Sequence, residues 1–165
     1  MFDNIFSQND MIEFQNKLKQ NDQTITCAES CTGGLIASYI TKIQGSSSIF
    51  KGSIVTYCNE IKEQELNVQK ETMIKYGVVS IEVVKQMLQG SLKKFDANFS
   101  VAVSGVAGPS GGTEAKPVGT VVIGAMSDNN LEDIEVYHFK GTREEVQIQS
   151  AKIALQKVAK LLNTI

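Results

Sequence analysis

Histidine is nearly absent from this chain of 165 residues, since His138 is its single copy. This scarcity largely excludes zinc sites that use several histidine ligands, and it excludes proton relays made of clustered histidines. If the protein is an enzyme, we expect its chemistry to depend on Ser, Lys, Tyr, Asp or Glu side chains. A histidine base is available at one position only.

Cysteine and long apolar runs are also scarce. The three cysteines, Cys27, Cys31 and Cys58, are an odd number without a C-x-x-C pair, which favours a reducing cytosol over a disulfide framework. No run of about 18 apolar residues predicts a membrane span. The first residues include Asp3 and no basic-then-apolar stretch, so we expect no signal peptide and a cytoplasmic location.

Charge is balanced, with 16 basic and 18 acidic residues and a formal net charge of −2. This balance argues against direct, nonspecific binding of nucleic acid. A hydrophobic fraction of 42% is too high for a disordered chain. The length predicts one domain over residues 1–165, large enough to bury roughly 70% of its unfolded surface.

Short β-branched segments alternate with helical patterns along the chain. The strands are predicted over residues 24–28, 53–57, 99–103, 118–126 and 134–139. Helices are predicted over residues 10–21, 35–43, 59–66, 81–95 and 142–162, with Asn59, Ser80 and Thr142 as caps. A short polar join from Asp128 to Asp133 indicates a hairpin. Together these elements predict a three-layer α/β/α sandwich on a mixed, mostly parallel sheet of about five strands.

Ser30 follows the first strand in the turn Glu29-Ser30-Cys31-Thr32-Gly33-Gly34. A serine between a strand and a helix exposes its hydroxyl, and the backbone N–H groups after it could receive an oxyanion or a phosphate. In the alternative interpretation, Ser30 or Thr32 only caps the next helix and the glycines serve the turn.

Tyr57 and Lys62 lie five residues apart across the next strand-to-helix corner. A lysine beside a serine nucleophile can act as general base when burial lowers its pKa, and Tyr57 could relay the proton. The alternative is a solvated surface lysine and a core tyrosine. The lack of other bases favours the catalytic interpretation.

Two further segments point to ligand binding. The glycine-rich run Ser104–Gly112 could form a backbone cradle or only a surface loop. Arg143 is the only arginine and lies just past the cap of the last helix, where it suits a phosphate or, alternatively, a salt bridge with Glu144. Because loops at the carboxyl ends of strands build the ligand crevice in such folds, these segments should converge with Ser30.

Several ordered motifs resemble the CinA C-terminal domain family, whose enzymatic members are nicotinamide-nucleotide amidohydrolases of the PncC type. The resemblance covers about Ile12 to Leu162. The motifs are Ala28–Gly34, Gly45–Ser47, Val55–Tyr57 with Asn59 and Lys62, Ser104–Gly112, and Lys116–Thr120.

The resemblance implies hydrolysis of the carboxamide of nicotinamide mononucleotide, without a metal or cofactor. The family's nucleophile falls on Ser30, and its partners fall on Tyr57 and Lys62. The implied ligand contacts are Thr32, Ser47, Ser104, Gly105, Gly108 and Arg143, and backbone groups of Thr32, Gly33 and Gly34 would hold the oxyanion. We also expect a homo-oligomer such as a dimer, and a stand-alone form without the molybdopterin-binding-like domain found in many family members.

Two rival hypotheses stay open at this point. The same pocket could belong to a non-catalytic module that binds a nucleotide or docks a partner in competence or recombination. Alternatively, the protein could be an amidase for another small carboxamide. Ammonia release from substrates with and without a phosphate would separate these hypotheses.

Overall fold

Five strands and six α-helices follow one another in the computed structural model, which describes residues 1–164. The strands are β1 (Ile25–Glu29), β2 (Phe50–Val55), β3 (Phe99–Gly105), β4 (Thr120–Ser127) and β5 (Glu132–His138). The helices are α1 (Gln8–Gln20), α2 (Leu35–Thr41), α3 (Asn59–Leu66), α4 (Lys70–Tyr76), α5 (Ile81–Phe95) and α6 (Arg143–Leu162), with a 3₁₀ helix at Ser46–Ser48. All five predicted strands are present, whereas α4 was not predicted.

The strands form one sheet in the order β2-β1-β3-β4-β5. β1 pairs in parallel with both β2 and β3, and β4 pairs antiparallel with both β3 and β5. Four strands therefore run in one direction and β4 runs against them. This arrangement confirms the prediction of a mixed, mostly parallel sheet with a hairpin.

Local capping explains where the helices begin. α6 begins after Thr142, whose side chain accepts from the N–H of Glu145 in the predicted capping box. α5 begins after Ser80, also as predicted. The predicted cap of α3 was wrong by one residue, because Cys58 is the N-cap and Asn59 is the first helical residue.

Two apolar layers enclose the sheet. Because successive side chains of a strand point to opposite faces, Val101 and Val103 of β3 pack towards α1, α2 and α6, while Ala102 packs towards α5. The three-layer arrangement is therefore confirmed. Over residues 1–164, none of the helices combines the length and apolar character that crossing a membrane would need.

The parallel strands position the functional segments. β1, β2 and β3 point in the same direction, so their carboxyl ends meet at one edge of the sheet. The chain leaves this edge at Ser30, Thr56 and Val106. This edge holds the site described next.

Candidate active site

A cleft of about 280 Å³ opens at the carboxyl edge of the sheet. Most of the residues predicted for the site line this cleft, which confirms that the three loops converge. The predicted residues found there are Ser30, Tyr57, Lys62, Ser104, Gly105, Gly108 and Arg143.

Lys62 is buried beside Ser30 at the floor of the cleft. Its side chain projects from the first half of α3, and only 1% of the residue is exposed. Its Nζ donates to the carbonyl of Thr56 at 2.6 Å and lies 3.3 Å from Ser30 Oγ. The interpretation of Lys62 as a solvated surface residue was therefore wrong.

The surroundings of Lys62 disfavour its positive charge. Burial lowers the pKa of Lys62 below the ordinary value for lysine. No salt bridge joins Lys62 to an acidic side chain in the part of the chain that the structure describes. A neutral Lys62 could accept the proton of the Ser30 hydroxyl across the same contact, as a general base must.

Glu29 fixes the turn that carries Ser30. The Glu29 carboxylate is fully buried and accepts from the N–H groups of Gly34, Ile36 and Ala37 at 3.0–3.1 Å. It therefore caps α2, whose own N-cap, Gly34, has no side chain to do so. Neither Ser30 nor Thr32 has the capping role weighed above.

The role of Glu29 was missed at the sequence level, although a signal for it exists. An acidic residue at the end of an otherwise apolar strand requires a partner for its charge. The N-terminus of the next helix supplies that partner.

The backbone of the Ser30 turn offers fewer free donors than the sequence suggested. The N–H of Gly33 donates to the carbonyl of Ser30 at 3.1 Å, and the N–H of Gly34 is held by Glu29. Among residues 1–164, the N–H groups of Cys31 and Thr32 have no acceptor. The predicted donor set of Thr32, Gly33 and Gly34 is thus reduced to Thr32, with Cys31 added.

Thr32, Gly33 and Gly34 face a different opening. They line a groove of about 540 Å³ between α2 and α6, together with Gln147. Ser30 and Cys31 line the cleft on the other side. The turn of Ser30 therefore forms a wall between the two openings.

Tyr57 and Arg143 meet at the mouth of the cleft. Tyr57 is 60% exposed, so it is not the core residue considered above. Its Oη accepts from Arg143 Nη2 at 2.7 Å, while Arg143 Nη1 donates to the carbonyl of Gly108 at 2.7 Å. These hydrogen bonds join Tyr57 to Arg143 rather than to Ser30 or Lys62, and Arg143 forms no salt bridge with Glu144.

The glycine-rich loop forms the wall opposite the Ser30 turn. Ser104 is buried, and its hydroxyl donates to the carbonyl of Val78 at 3.0 Å. A Cβ on Gly105 would lie 2.7 Å from Cγ2 of Val121, so only glycine fits there. The interpretation of Ser104–Gly112 as merely a surface loop fails for its first residues.

Ser47 does not lie with the other predicted contacts. It belongs to the 3₁₀ helix that leads into the amino end of β2, whereas the cleft lies at the carboxyl end. Ser47 is not among the residues that line the cleft. The order of the motifs in the sequence does not show that Ser47 lies at the opposite edge of the sheet from the cleft.

The cysteines and acidic groups near the cleft offer little alternative chemistry. Burial raises the pKa of the Cys31 thiol to about 12, so it is a poor nucleophile beside Ser30. Cys27 is buried too, and burial raises its pKa. Over residues 1–164, no three His, Cys, Asp or Glu side chains come together as metal ligands.

Comparison with known proteins identifies the family of this chain. The CinA C-terminal domain matches residues 9–162. A CinA-like protein of Fervidobacterium nodosum is 53% identical over 137 residues, which are 83% of this chain and 33% of that relative. The chain thus spans about a third of the length of the curated relatives it matches.

Solved structures share the fold over nearly the whole chain. The competence/damage inducible protein CihA from Agrobacterium tumefaciens superposes with a TM-score of 0.90 at 35% identity, covering 94% of each chain. A CinA superfamily protein from Klebsiella pneumoniae superposes with a TM-score of 0.91 at 28% identity, covering 96% of this chain and 98% of that one.

Proposed function

The chain belongs to the CinA C-terminal domain family, and from this premise and the geometry of the cleft we propose that it hydrolyses the carboxamide of nicotinamide mononucleotide. The products are nicotinate mononucleotide and ammonia, which places the reaction in pyridine-nucleotide salvage. Ser30 is the nucleophile and Lys62 is the general base.

One observation carries this proposal. Lys62 Nζ is buried and lies 3.3 Å from Ser30 Oγ, and no acidic side chain of residues 1–164 forms a salt bridge with it. An isolated buried ammonium is unfavourable, so a lysine there serves stability poorly. A neutral amine beside a hydroxyl is suited to remove its proton.

In the first half of the reaction, neutral Lys62 takes the proton of Ser30 as Oγ attacks the carboxamide carbon. The electron pair of the C=O bond moves to the oxygen, and the N–H groups of Cys31 and Thr32 stabilise this oxyanion. Lys62 then gives its proton to the leaving nitrogen. The C–N bond breaks, ammonia leaves, and an ester on Ser30 remains.

In the second half, a water molecule gives a proton to Lys62 and attacks the ester carbon. Collapse of the tetrahedral intermediate breaks the bond to Oγ, and Lys62 returns the proton to Ser30. Nicotinate mononucleotide is released, and Ser30 and Lys62 regain their starting protonation states. The cycle consumes water alone besides the substrate.

Arg143 is the proposed contact of the 5′-phosphate. Its guanidinium lies at the mouth of the cleft and already donates to Tyr57 Oη and the Gly108 carbonyl. A dianionic phosphate is a stronger acceptor than either, so Arg143 can turn towards it. We place Tyr57 with Arg143 at the mouth rather than in proton transfer.

The experiment is an ammonia-release assay with the wild type and Ser30→Ala. We expect the wild type to release ammonia from nicotinamide mononucleotide and Ser30→Ala to lose about 10³-fold or more in kcat. Ser48→Ala is the matched control, because Ser48 is exposed and its hydroxyl bonds only to the carbonyl of Gly45.

The same assay separates the rival hypotheses. Equal rates for the wild type and Ser30→Ala would rule out Ser30 as the nucleophile. Binding of the mononucleotide without ammonia release would favour a binding module. Faster release from the nucleoside, which lacks the phosphate, would favour a different amidase.

A further inference from the structure

The first turns of α6 contact two walls of the cleft. Arg143 and Gln147 are four residues apart, so their side chains lie on the same face of the helix. Arg143 donates to the carbonyl of Gly108 in the glycine-rich loop, and Gln147 Nε2 donates to the carbonyl of Cys31 at 2.7 Å. Gln147 thus holds the residue that directly follows Ser30.

The hydrogen bond from Gln147 orients the N–H of Thr32 as well as the carbonyl of Cys31. The carbonyl of Cys31 and the N–H of Thr32 belong to one planar peptide group, in which they point in opposite directions. Since the carbonyl is turned towards Gln147, the N–H of Thr32 points away from α6. This N–H has no acceptor among residues 1–164.

The Ser30 turn is therefore anchored from two sides. Glu29 holds the N–H of Gly34 at the end of the turn, and Gln147 holds the carbonyl of Cys31 at its middle. Between these anchors lies the free N–H of Thr32. Without Gln147, the orientation of the Cys31–Thr32 peptide would depend on the Glu29 anchor and on the backbone hydrogen bonds within the turn, from the Gly33 N–H to the Ser30 carbonyl and from the Leu35 N–H to the Thr32 carbonyl.

We propose that Gln147 is a positioning residue that aims the Thr32 N–H at the carboxamide oxygen of the substrate in the transition state. This inference rests on the proposed amidohydrolase activity. Within residues 1–164, no hydrogen bond joins Gln147 to Ser30 or Lys62, and we assign Gln147 no part in proton transfer. Its effect is confined to the geometry of one donor.

A donor for the oxyanion matters most in the transition state, when the negative charge is on the oxygen. Replacing Gln147 should therefore lower kcat and leave KM nearly unchanged. Replacing a residue that only supported the fold or bound the substrate would not lower kcat while leaving KM unchanged.

The test uses Gln147→Met, which keeps the length of the side chain and removes the donor. We expect kcat for nicotinamide mononucleotide to fall about 10- to 100-fold, with KM within about twofold of the wild type. If Gln147→Met does not fold, Gln147→Glu provides the same test. Glutamate has the same shape as glutamine, but its carboxylate accepts hydrogen bonds and cannot donate one to the Cys31 carbonyl.

Gln156→Met is the matched control. Gln156 lies on the same helix and donates to the carbonyl of Ile5 at 2.8 Å, far from the cleft. It loses the same kind of hydrogen bond, so we expect its kcat to match the wild type. An equal fall in kcat for Gln147→Met and Gln156→Met would overturn the proposal, as would an unchanged kcat in Gln147→Met.

A second readout does not depend on activity. The carbonyl carbon chemical shift of Cys31 responds to its hydrogen bond, so NMR should show it moving upfield in Gln147→Met and staying in place in Gln156→Met. No movement would overturn the contact. A wild type without amidase activity would defeat the proposed function, while this measurement would still show whether Gln147 holds the Cys31 carbonyl.

Discussion

Three lysines of this chain are buried, and they differ in what surrounds their charge. Lys62, Lys152 and Lys157 are 1%, 5% and 4% exposed. Lys157 Nζ lies 2.6 Å from Asp133 Oδ1 and 2.7 Å from Glu135 Oε2, and Lys152 pairs with Asp3. Within residues 1–164, the hydrogen-bond partners of Lys62 Nζ are the carbonyl of Thr56 and the hydroxyl of Ser30.

The pKa values of Lys62 and Lys157 move in opposite directions. Burial lowers the pKa of Lys62, and this effect is larger than the opposing effect of Cys58 and Cys31, which raise the pKa. Burial acts on Lys157 in the same direction, but the hydrogen bonds that Lys157 donates to Asp133 and Glu135 outweigh it and raise the pKa. Similar burial therefore favours the neutral amine at Lys62 and the paired cation at Lys157.

The largest expected effect distinguishes the two lysines by activity. Lys62→Met removes the proposed general base, so we expect the rate of ammonia release to fall about 10²- to 10⁴-fold. Lys157→Met should release ammonia at nearly the wild-type rate, because Lys157 pairs with Asp133 and Glu135 of β5 and does not line the cleft. Comparable losses in both variants would contradict the assignment of Lys62 as base.

The next effect concerns pH. The base must be neutral, so kcat/KM should rise with pH through the pKa of Lys62 and then level off. Because that pKa is lowered, the rise should lie below the ordinary range of lysine. The measurement is a pH profile of ammonia release, and a rise centred at or above the ordinary lysine value of 10.5 would contradict it.

A charge placed at Cys58 would make Lys62 resemble Lys157. Cys58 is exposed at the N-cap of α3, and a negative charge there raises the pKa of Lys62. Cys58→Asp should therefore shift the pH profile to higher pH. Cys58→Asn is the control, because it caps the helix equally well without the charge. Identical shifts in both variants would show that charge is not the cause.

Much of the fold could be predicted from the sequence because its signals are local. The strands follow β-branched runs, and the capping box of Thr142 with Glu145 marks the start of α6. The α4 helix was missed because its seven residues show no clear apolar period. The cap of α3 was misplaced because a backbone turn, not a good capping side chain, fixes its first residue.

Most of the residues that line the cleft could be predicted from the sequence, but their contacts could not. The carboxyl ends of parallel strands explain why Ser30, Lys62 and Ser104 converge. Whether Lys62 is buried without an acid depends on how α3 packs against α5, which is a tertiary property. The link from Gln147 to Cys31 spans 116 positions in the sequence, and no local pattern predicts such a contact.

The smallest expected effect distinguishes the lysines by stability. Lys157→Met leaves Asp133 and Glu135 without their cation, but both carboxylates are partly solvated, so at pH 7 we expect the free energy of unfolding to fall by about 1 kcal/mol. Lys62→Met removes an unfavourable charge but also the donor of the Thr56 carbonyl. These two consequences oppose each other, so the change should stay below about 1 kcal/mol.

The pH dependence of stability should differ in sign between the two lysines. Because the folded pKa of Lys157 is raised, its stabilisation is present below the unfolded value of 10.5 and is lost as pH rises through the folded pKa. Because the folded pKa of Lys62 is lowered, its contribution grows more favourable as pH rises from that pKa towards 10.5. Urea unfolding of both Met variants from pH 7 to 11 measures these trends. A larger loss of stability in Lys62→Met than in Lys157→Met at pH 7 would show that Lys62 is a structural cation after all, and its isolation from carboxylates would then need another explanation.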